Sequence, residues 1–538
     1  MFRENHQHNQ ESLFNSTLAM DDRIRAKLMK SWAPIFYENV FCKIDEKPFS
    51  VMYGTTGNPN FPVNILLSLE YIKHMKDIPD SELIDHYYFD YLVNYAVGLK
   101  TLGEKHLSDR AIYYFRQRIY EYCHENPGGE DLLFGQFIKL LKSFAEKAGI
   151  KLDEQRMDTT MFMSNIKKAG RIALAFDVLV KAVRAIPKDR LLETLSKVLE
   201  PCFKTDILYR ARPDENDSKL SQLLNLCSDA LDILKTLPGY SAEDEIRILN
   251  RFISEQSKID ENGRITPKTN KEITSSSLQS AYDEDATYRK KSKVAQSGYV
   301  LEIAETCSKE NSFQLITDYA VETNNTSDVE IIQNRLPEIK DNTGCKDMYV
   351  DGGFHSPDVL AVAKEEEIDM HLTDMSGTEP TKKLPLSEYK IDEQSNEILE
   401  CPNKQQPIRS DIGNGQTTAH FEKSACENCP LREQCHSKEQ KKNFVVRISL
   451  KAITANRERS KIIEFRKENT SKRAAIEGSN SALKRKGLDK LQVRGKTKST
   501  IVCGYKVMAQ NIKRFTKFML GGYQPKTPDN GISVPIPV

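Results

Sequence analysis

Apolar residues recur three and four positions apart through the first 125 residues, and this spacing predicts helices over Arg23 to Trp32, Val63 to Met75, Asp80 to Val97 and Ser108 to Tyr122. Asp80 and Ser108 are the expected N-caps, and GTTGNPNFP at 54–62 reads as a loop. Residues 130–150 predict another helix, which leads into LDEQRMDTTMFMS, a segment whose β-branched and aromatic content predicts a strand bearing Asp158. From Arg171 to about Lys258 the helical period returns, broken at AIP, EPC, ARPDEND and LPGYSAED, and its apolar faces carry no visible chemistry. After a polar stretch the period changes to two. SGYVLEIAETC and FQLITDYAVET predict a hairpin, DVEIIQNRLPEIK a helix, and DMYVDGGF and EIDMHLTDM two further strands.

Strand, strand, strand, helix, strand, strand and a late helix carrying Glu477 fit an α/β fold with a mixed sheet of the ribonuclease-H kind, in which acids from two strands and a helix meet. The expected organisation is a helical domain over 1–125 and the start of the core over 126–170. A helical insertion covers 171–260, a linker 261–296 and the continued core 297–378. An insertion with a cysteine cluster covers 379–445, the Glu477 helix and a basic region 446–525, and a tail 526–538.

Charge sharpens this picture. The net charge is +1, yet residues 441–526 hold 23 Lys and Arg against 5 Asp and Glu. Such density points to a polyanion. Among the N-terminal helices, SDRAIYYFRQRIYEYCHEN combines Arg110, Arg116 and Arg118 with four tyrosines, which makes it the candidate DNA-facing helix. No run of about 18 apolar residues occurs and the N-terminus lacks a signal-peptide core, so no membrane is expected and the cytoplasm is the expected compartment.

The stretch TSKRAAIEGSNSALKRKGLDKLQVRG at 470–495 carries the densest chemistry. At 100° per residue Thr470, Arg473, Glu477 and Lys484 fall within about 60° of one another, so one helix face presents a carboxylate flanked by cations. Ion pairs on a solvated helix would give the same pattern. Asp158 and Asp351 each stand at or near the end of a short apolar run and supply two further acids.

These residues resemble the motifs of bacterial insertion-sequence transposases of the Asp-Asp-Glu class, of the type with an N-terminal helical domain formerly of unknown function. FPVNILLSLEYIKHMKDIPDSELIDHYYFDYLVNYAVGL and LSDRAIYYFRQRI resemble that domain, and RMDTTMFMSNI resembles the first-aspartate motif. SGYVLEIAET resembles the glycine-aromatic strand, VDGGFHSPD the second-aspartate motif, and KRAAIEGSNSALKRKGLDKLQVRG with AQNIKRF the glutamate helix and its sequel. The signature Tyr-x2-Arg-x3-Glu-x6-Lys appears as Thr470, Arg473, Glu477 and Lys484, with threonine in place of the tyrosine.

The resemblance implies catalytic Asp158, Asp351 and Glu477 holding two Mg²⁺ about 4 Å apart, cleavage at element ends and joining of the 3′ ends to target DNA. It also implies double-stranded DNA as partner, bound by a homodimer or higher assembly associated with the nucleoid. A nuclease without strand transfer and an inactive DNA-binding derivative are the alternatives. Arg473, Lys484, Arg485, Lys486, Arg494, Lys496 and Lys498 are expected along the DNA backbone. Gly352 and Gly353 are expected to admit a close backbone approach or a tight turn.

Of eleven cysteines, Cys42, Cys123, Cys202, Cys227, Cys307, Cys345 and Cys503 are scattered among apolar segments and are expected as buried thiols. Cys401, Cys426, Cys429 and Cys435 form a separate group in a polar segment, where Cys-x2-Cys argues for structural Zn²⁺, with His420 and His436 as alternative fourth ligands. Transposases of the resembling class often carry a similar cysteine group.

Overall fold

The computed structural model describes the chain except residues 11, 13, 127–130, 168, 210–214, 238–242, 262–263, 292–293, 375–382 and 524–538. The expected tail at 526–538 lies outside the described residues, as do parts of the breaks at ARPDEND and LPGYSAED.

The N-terminal third is helical: α1 (Asp22–Met29), α2 (Trp32–Asn39), α3 (Val63–Lys76), α4 (Asp80–Phe89), α5 (Tyr91–Ala96), α6 (Asp109–Glu125) and α7 (Leu132–Ala148). The helix expected over 80–97 is two helices, because the Asp90 side chain accepts from the Leu92 N–H and caps a new one. Asp80 is not an N-cap. Pro79 takes that position, and the Asp80 carboxylate holds Arg116 and Lys73 instead. Ser108 occupies the cap position of α6 without a side-chain hydrogen bond.

β1 (Glu154–Phe162) is followed by α8 (Arg171–Ala185), α9 (Glu193–Ser196), α10 (Pro201–Leu208), α11 (Asn216–Lys235), α12 (Glu243–Gln256) and the small hairpin β2 (Ser257–Ile259) with β3 (Ile265–Pro267). These helices close on a core of their own around Leu179, Leu223, Leu224 and Phe252. The linker expected over 261–296 is instead folded. Leu278 and Ala281 complete the insertion's core, and Asp283 accepts from the Ser164 and Tyr299 hydroxyls at 2.5 Å each. Its polar residues are used internally, which is why composition alone resembled a linker.

The central mixed sheet contains β1, β4 (Thr287–Lys291), β5 (Val294–Thr306), β6 (Ile316–Thr323), β7 (Asp347–Val350) and β8 (Asp369–Leu372). Its order is β4-β5-β1-β7-β8, with β6 also paired to β5. β1 runs antiparallel to β5 and parallel to β7, and β7 parallel to β8. α13 (Asp328–Thr343) and α14 (Pro357–Glu365) cover one face, with Ile332, Leu336 and Val359 packed over Met157 and Met348.

The cysteine insertion comprises β9 (Lys390–Ile391), β10 (Ile398–Glu400), β11 (Arg409–Gly413), β12 (Gln416–Glu422), α15 (Lys423–Glu427), β13 (Ser437–Glu439) and β14 (Asn443–Ser449). It has a small core of Tyr389, Ile398, Phe421, Val446 and Ile448, so side-chain packing organises it as well as any metal would. α16 (Leu450–Ala474), α17 (Ile476–Leu483) and α18 (Lys496–Met519) complete the chain. The single face expected from Thr470 to Lys484 is interrupted at Ala475 and ends in a wide turn over 484–488.

α18 is a core helix as well as a basic one. Cys503, Tyr505, Met508, Ile512 and Phe515 join the same cluster as the N-terminal helices and the sheet, and the Phe515 ring stacks on Phe144 with centroids 4.4 Å apart. Residues 1–125 therefore share their core with the sheet.

Glu302 on β5 is buried beside Asp318. Burial first, then the charge of Asp318, pushes its pKa well above the ordinary value of 4.5, against the pull of Arg335. The folded chain thus keeps a proton that the unfolded chain releases above pH 4.5, and stability is lost as pH rises from there toward the folded pKa. Glu302→Gln should flatten this dependence and melt a few degrees higher than wild type at pH 8, which thermal unfolding at pH 5 and pH 8 measures.

Candidate active site

Asp158 sits mid-strand on β1, opposite Ile303 of β5. Asp351 directly follows β7, and because Arg156 pairs with Tyr349 in parallel, the continued register brings Asp351 beside Asp158. Its Oδ1 accepts the Gly353 N–H at 2.8 Å and closes a tight turn over Gly352–Phe354. Gly352 is sterically required here, and a side chain at Gly353 would displace the Asp351 carboxylate. A Cβ on Gly352 would stand 2.9 Å from the Asp374 backbone, and one on Gly353 would stand 2.9 Å from Asp351 Oδ1. Of the two readings of the glycine pair, the geometry accounts for the turn.

The third acid comes from the helices that cross the sheet. Arg473, near the end of α16, projects its guanidinium between all three carboxylates: Nη2 lies 3.3 Å from Asp158 and 3.5 Å from Asp351, and Nη1 lies 3.4 Å from Glu477. Asn480, one turn after Glu477, donates to the other Asp158 oxygen at 3.2 Å. Side-chain exposure grades from 10% at Asp158 through 31% at Asp351 to 65% at Glu477, so the cluster opens to solvent on the helix side. Three carboxylates thus share one guanidinium, and the contacts are long for ion pairs.

A buried acid that the sequence did not single out fixes this helix. Glu305 of β5 pairs with Arg156 of β1, accepts from Ser479 of α17 and binds Arg514 of α18 at 2.8 Å. Burial alone would raise its pKa, but Arg514, Arg156 and Ser479 hold it below the ordinary value, so the carboxylate stays charged. Arg156 also donates to the Lys472 carbonyl at 2.8 Å. Asp328, at the start of α13, accepts from Thr159 at 3.1 Å and adds a further acid near the Asp351 turn. Nothing in the strand patterns marked Glu305 or Asp328.

The expected DNA-contacting cations divide. Arg485 and Arg110 are exposed. Arg116 is committed to Glu70 at 2.6 Å and Asp80 at 2.7 Å, while Arg118 lies over the Tyr53 ring. Lys484 pairs with Asp489 and Lys496 with Glu322. Arg494 donates to the Asn165 carbonyl, Lys498 lies over Tyr120, and the Lys486 ammonium is enclosed. Thr470, where the signature has tyrosine, is exposed.

Cys401, Cys426, Cys429 and Cys435 line one cavity of about 20 Å³. Among the described residues, however, no three His, Cys, Asp or Glu side chains are grouped as a metal-holding set. His420 faces Asn443 and His436 the Leu384 carbonyl, each at 3.0 Å, so both ring nitrogens in those contacts have partners other than sulfur. Of the seven scattered cysteines, Cys227, Cys307, Cys345 and Cys503 are buried as expected. Cys42 and Cys202 are exposed, and Cys123 is half-buried against the main core.

Residues 400–516 match the model of a family described as transposase DDE domain, and the match supports a transposase of the Asp-Asp-Glu class. The matched segment contains Arg473, Glu477 and the four-cysteine group; Asp158 and Asp351 precede it. No match is found among curated proteins or among solved structures. No helix among the described residues is long and apolar enough to cross a membrane.

Proposed function

We propose that the chain is a DNA transposase that cuts at the ends of its element and transfers the freed strands to target DNA. The observation that carries this reading is the convergence of Asp158, Asp351 and Glu477 on Arg473. The order β6-β5-β1-β7-β8, with β1 antiparallel to β5 and parallel to β7, supports a ribonuclease-H-like core.

The donors suit two Mg²⁺: all three acids offer hard oxygens, their charge is only partly balanced, and the guanidinium occupies a cation's place among them. When bound, the metal supplies activation of a water or 3′-hydroxyl and charge stabilisation at the leaving oxygen. Asp158 on β1 and Asp351 just past the end of β7 would each offer the metal a carboxylate oxygen, and Asn480 orients the first. Glu477 completes the set from a helix that Glu305 anchors. Arg473 neutralises the acids until DNA enters and then donates to the phosphate flanking the scissile one.

Incubating the protein with Mg²⁺ and a duplex carrying the sequence that flanks its gene tests this reading. New 3′-hydroxyl ends joined to a second duplex are expected. Cut ends that never join would make the chain a nuclease, and no cutting would remove the proposal.

Arg485, Arg494, Lys496 and Lys498, with Lys484 and Lys486, are proposed along the DNA backbone, and Arg110, Arg116 and Arg118 near the element end. Arg116 would act there through α6, since its own guanidinium is committed. Replacing Arg485, Arg494 and Lys498 with alanine should weaken binding to end and random duplexes alike, with the salt slope shallower by about one unit for each phosphate no longer neutralised. An unchanged slope in a salt titration would return these residues to a solvated surface.

Zinc at Cys401, Cys426, Cys429 and Cys435 is proposed from the thiol chemistry of the donor set and its Cys-x2-Cys spacing. Metal analysis of purified protein should find about one Zn²⁺ per chain, released by Cys426→Ser with Cys429→Ser. A zinc-free wild type would remove the site.

A further inference from the structure

Between the N-terminal helices and the turn that follows α17 lies a cleft of about 720 Å³ that the cutting chemistry leaves unused. α3 contributes Lys73 and His74 to its wall, α6 contributes Tyr113 and Tyr120, the turn contributes Lys486, and α18 contributes Lys506. Its charges do not balance. Glu70 and Asp80 are consumed by Arg116 and Lys73, which leaves Asp77 facing Lys486, Lys490, Lys498 and Lys506.

Two of the lining groups lack partners among the described residues. The Lys486 ammonium and the Tyr505 hydroxyl are both enclosed, and neither has a hydrogen bond there. Gly487, at φ 77°, makes the turn that sets Lys486 inward, a conformation that a side chain would resist. Lys506 is itself buried and donates to the Lys486 carbonyl, so two lysines are held close together inside the protein. Burial first, then Lys513, lowers Lys486 to about 8, and burial with Lys506 lowers His74 to about 2, so the imidazole stays neutral. An enclosed ammonium without a partner is costly unless something else completes it. An anion with several acceptor oxygens would complete it.

The cleft is wider than a lone phosphate requires. Exposed Tyr113 offers a ring face beside the lysines, whereas the Tyr120 ring is already stacked on His124 and covered by Lys498 at 4.3 Å. Cations beside open aromatic faces suit a phosphate joined to a flat base. We propose that this cleft binds one nucleotide unit, its phosphate held by Lys486 and Lys506 and its base against Tyr113. The inference rests on the DNA reading for its natural ligand, which is either an unpaired nucleotide at a strand end or a free mononucleotide.

Calorimetric titration of the full-length protein with pyrophosphate, dTMP and a 5′-phosphorylated thymidine trinucleotide, without Mg²⁺, tests it. The trinucleotide is expected to bind, pyrophosphate to compete with it, and Lys486→Met with Lys506→Met to weaken both at least tenfold. If that pair fails to fold, Lys490→Ala and Tyr113→Leu at the cleft's rim carry the same expectation. A trinucleotide tighter than dTMP identifies a strand end as the source, and equal affinities identify the free nucleotide. No binding by any probe, or binding unchanged in the variants, overturns the proposal. Duplex cleavage by the wild type is scored separately, so cleavage without probe binding removes the cleft alone, and loss of cleavage removes the functional reading.

Discussion

Asp158→Asn, Asp351→Asn and Glu477→Gln should each lower Mg²⁺-dependent DNA cutting by more than about a hundredfold while duplex binding stays near wild type. Loss of a group that merely orients a metal ligand typically costs about 10–100-fold, so loss of a ligand must exceed it. The three should differ in stability, because their surroundings differ. Glu477→Gln, at a position 65% exposed, should melt as wild type does. Asp351→Asn keeps an oxygen able to accept the Gly353 N–H, so its turn survives. Asp158→Asn removes charge from a nearly enclosed position beside Arg473 and Asn480, and should show the largest change in melting. Cleavage assays paired with melting curves separate these effects, and wild-type cutting by any one variant removes that residue from the site.

Arg473→Gln should bind divalent metal more tightly in the absence of DNA and cut DNA more slowly. The guanidinium now competes with metal for the same three carboxylates, and its removal takes one positive charge from among them. At partly exposed sites and separations of several ångströms, one unit charge changes cation affinity by about tenfold. A Mn²⁺ titration followed by electron paramagnetic resonance reads this directly on DNA-free protein. Unchanged affinity would mean that Arg473 only braces the helix. Arg473→Lys should fall between, since an ammonium cannot reach three acids from one planar fork.

Much of the site was legible in order along the chain. β-branched and aromatic content placed β1, period-two runs placed β5, β6, β7 and β8, and each of Asp158 and Asp351 stood at or near the end of a short apolar run. Spacing also showed that Arg473 shares a face with Glu477. It did not show that Arg473 reaches Asp158 and Asp351, because those contacts join residues more than 100 positions apart. Glu302 and Glu305 were unreadable for another reason. Polar residues in a period-two strand normally face solvent, but β5 is central and covered on both sides, so its acids are buried. The basic C-terminal count hid a similar effect: lysines on α18 alternate with a face that fills the main core, and Lys506 is carried inside with it. The apparent linker failed because composition records polarity and not whether the polar groups find partners.

The most direct test of a single centre built from Asp158, Asp351 and Glu477 is to load full-length, DNA-free protein with Fe²⁺ in place of Mg²⁺. Ascorbate and peroxide then start local backbone cleavage, and mass spectrometry maps the breaks. Breaks are expected beside residues 158, 351 and 477, suppressed by excess Mg²⁺ and weakened in Glu477→Gln. Breaks confined to other parts of the chain, or breaks at these positions that Mg²⁺ and Glu477→Gln leave untouched, would contradict a shared centre.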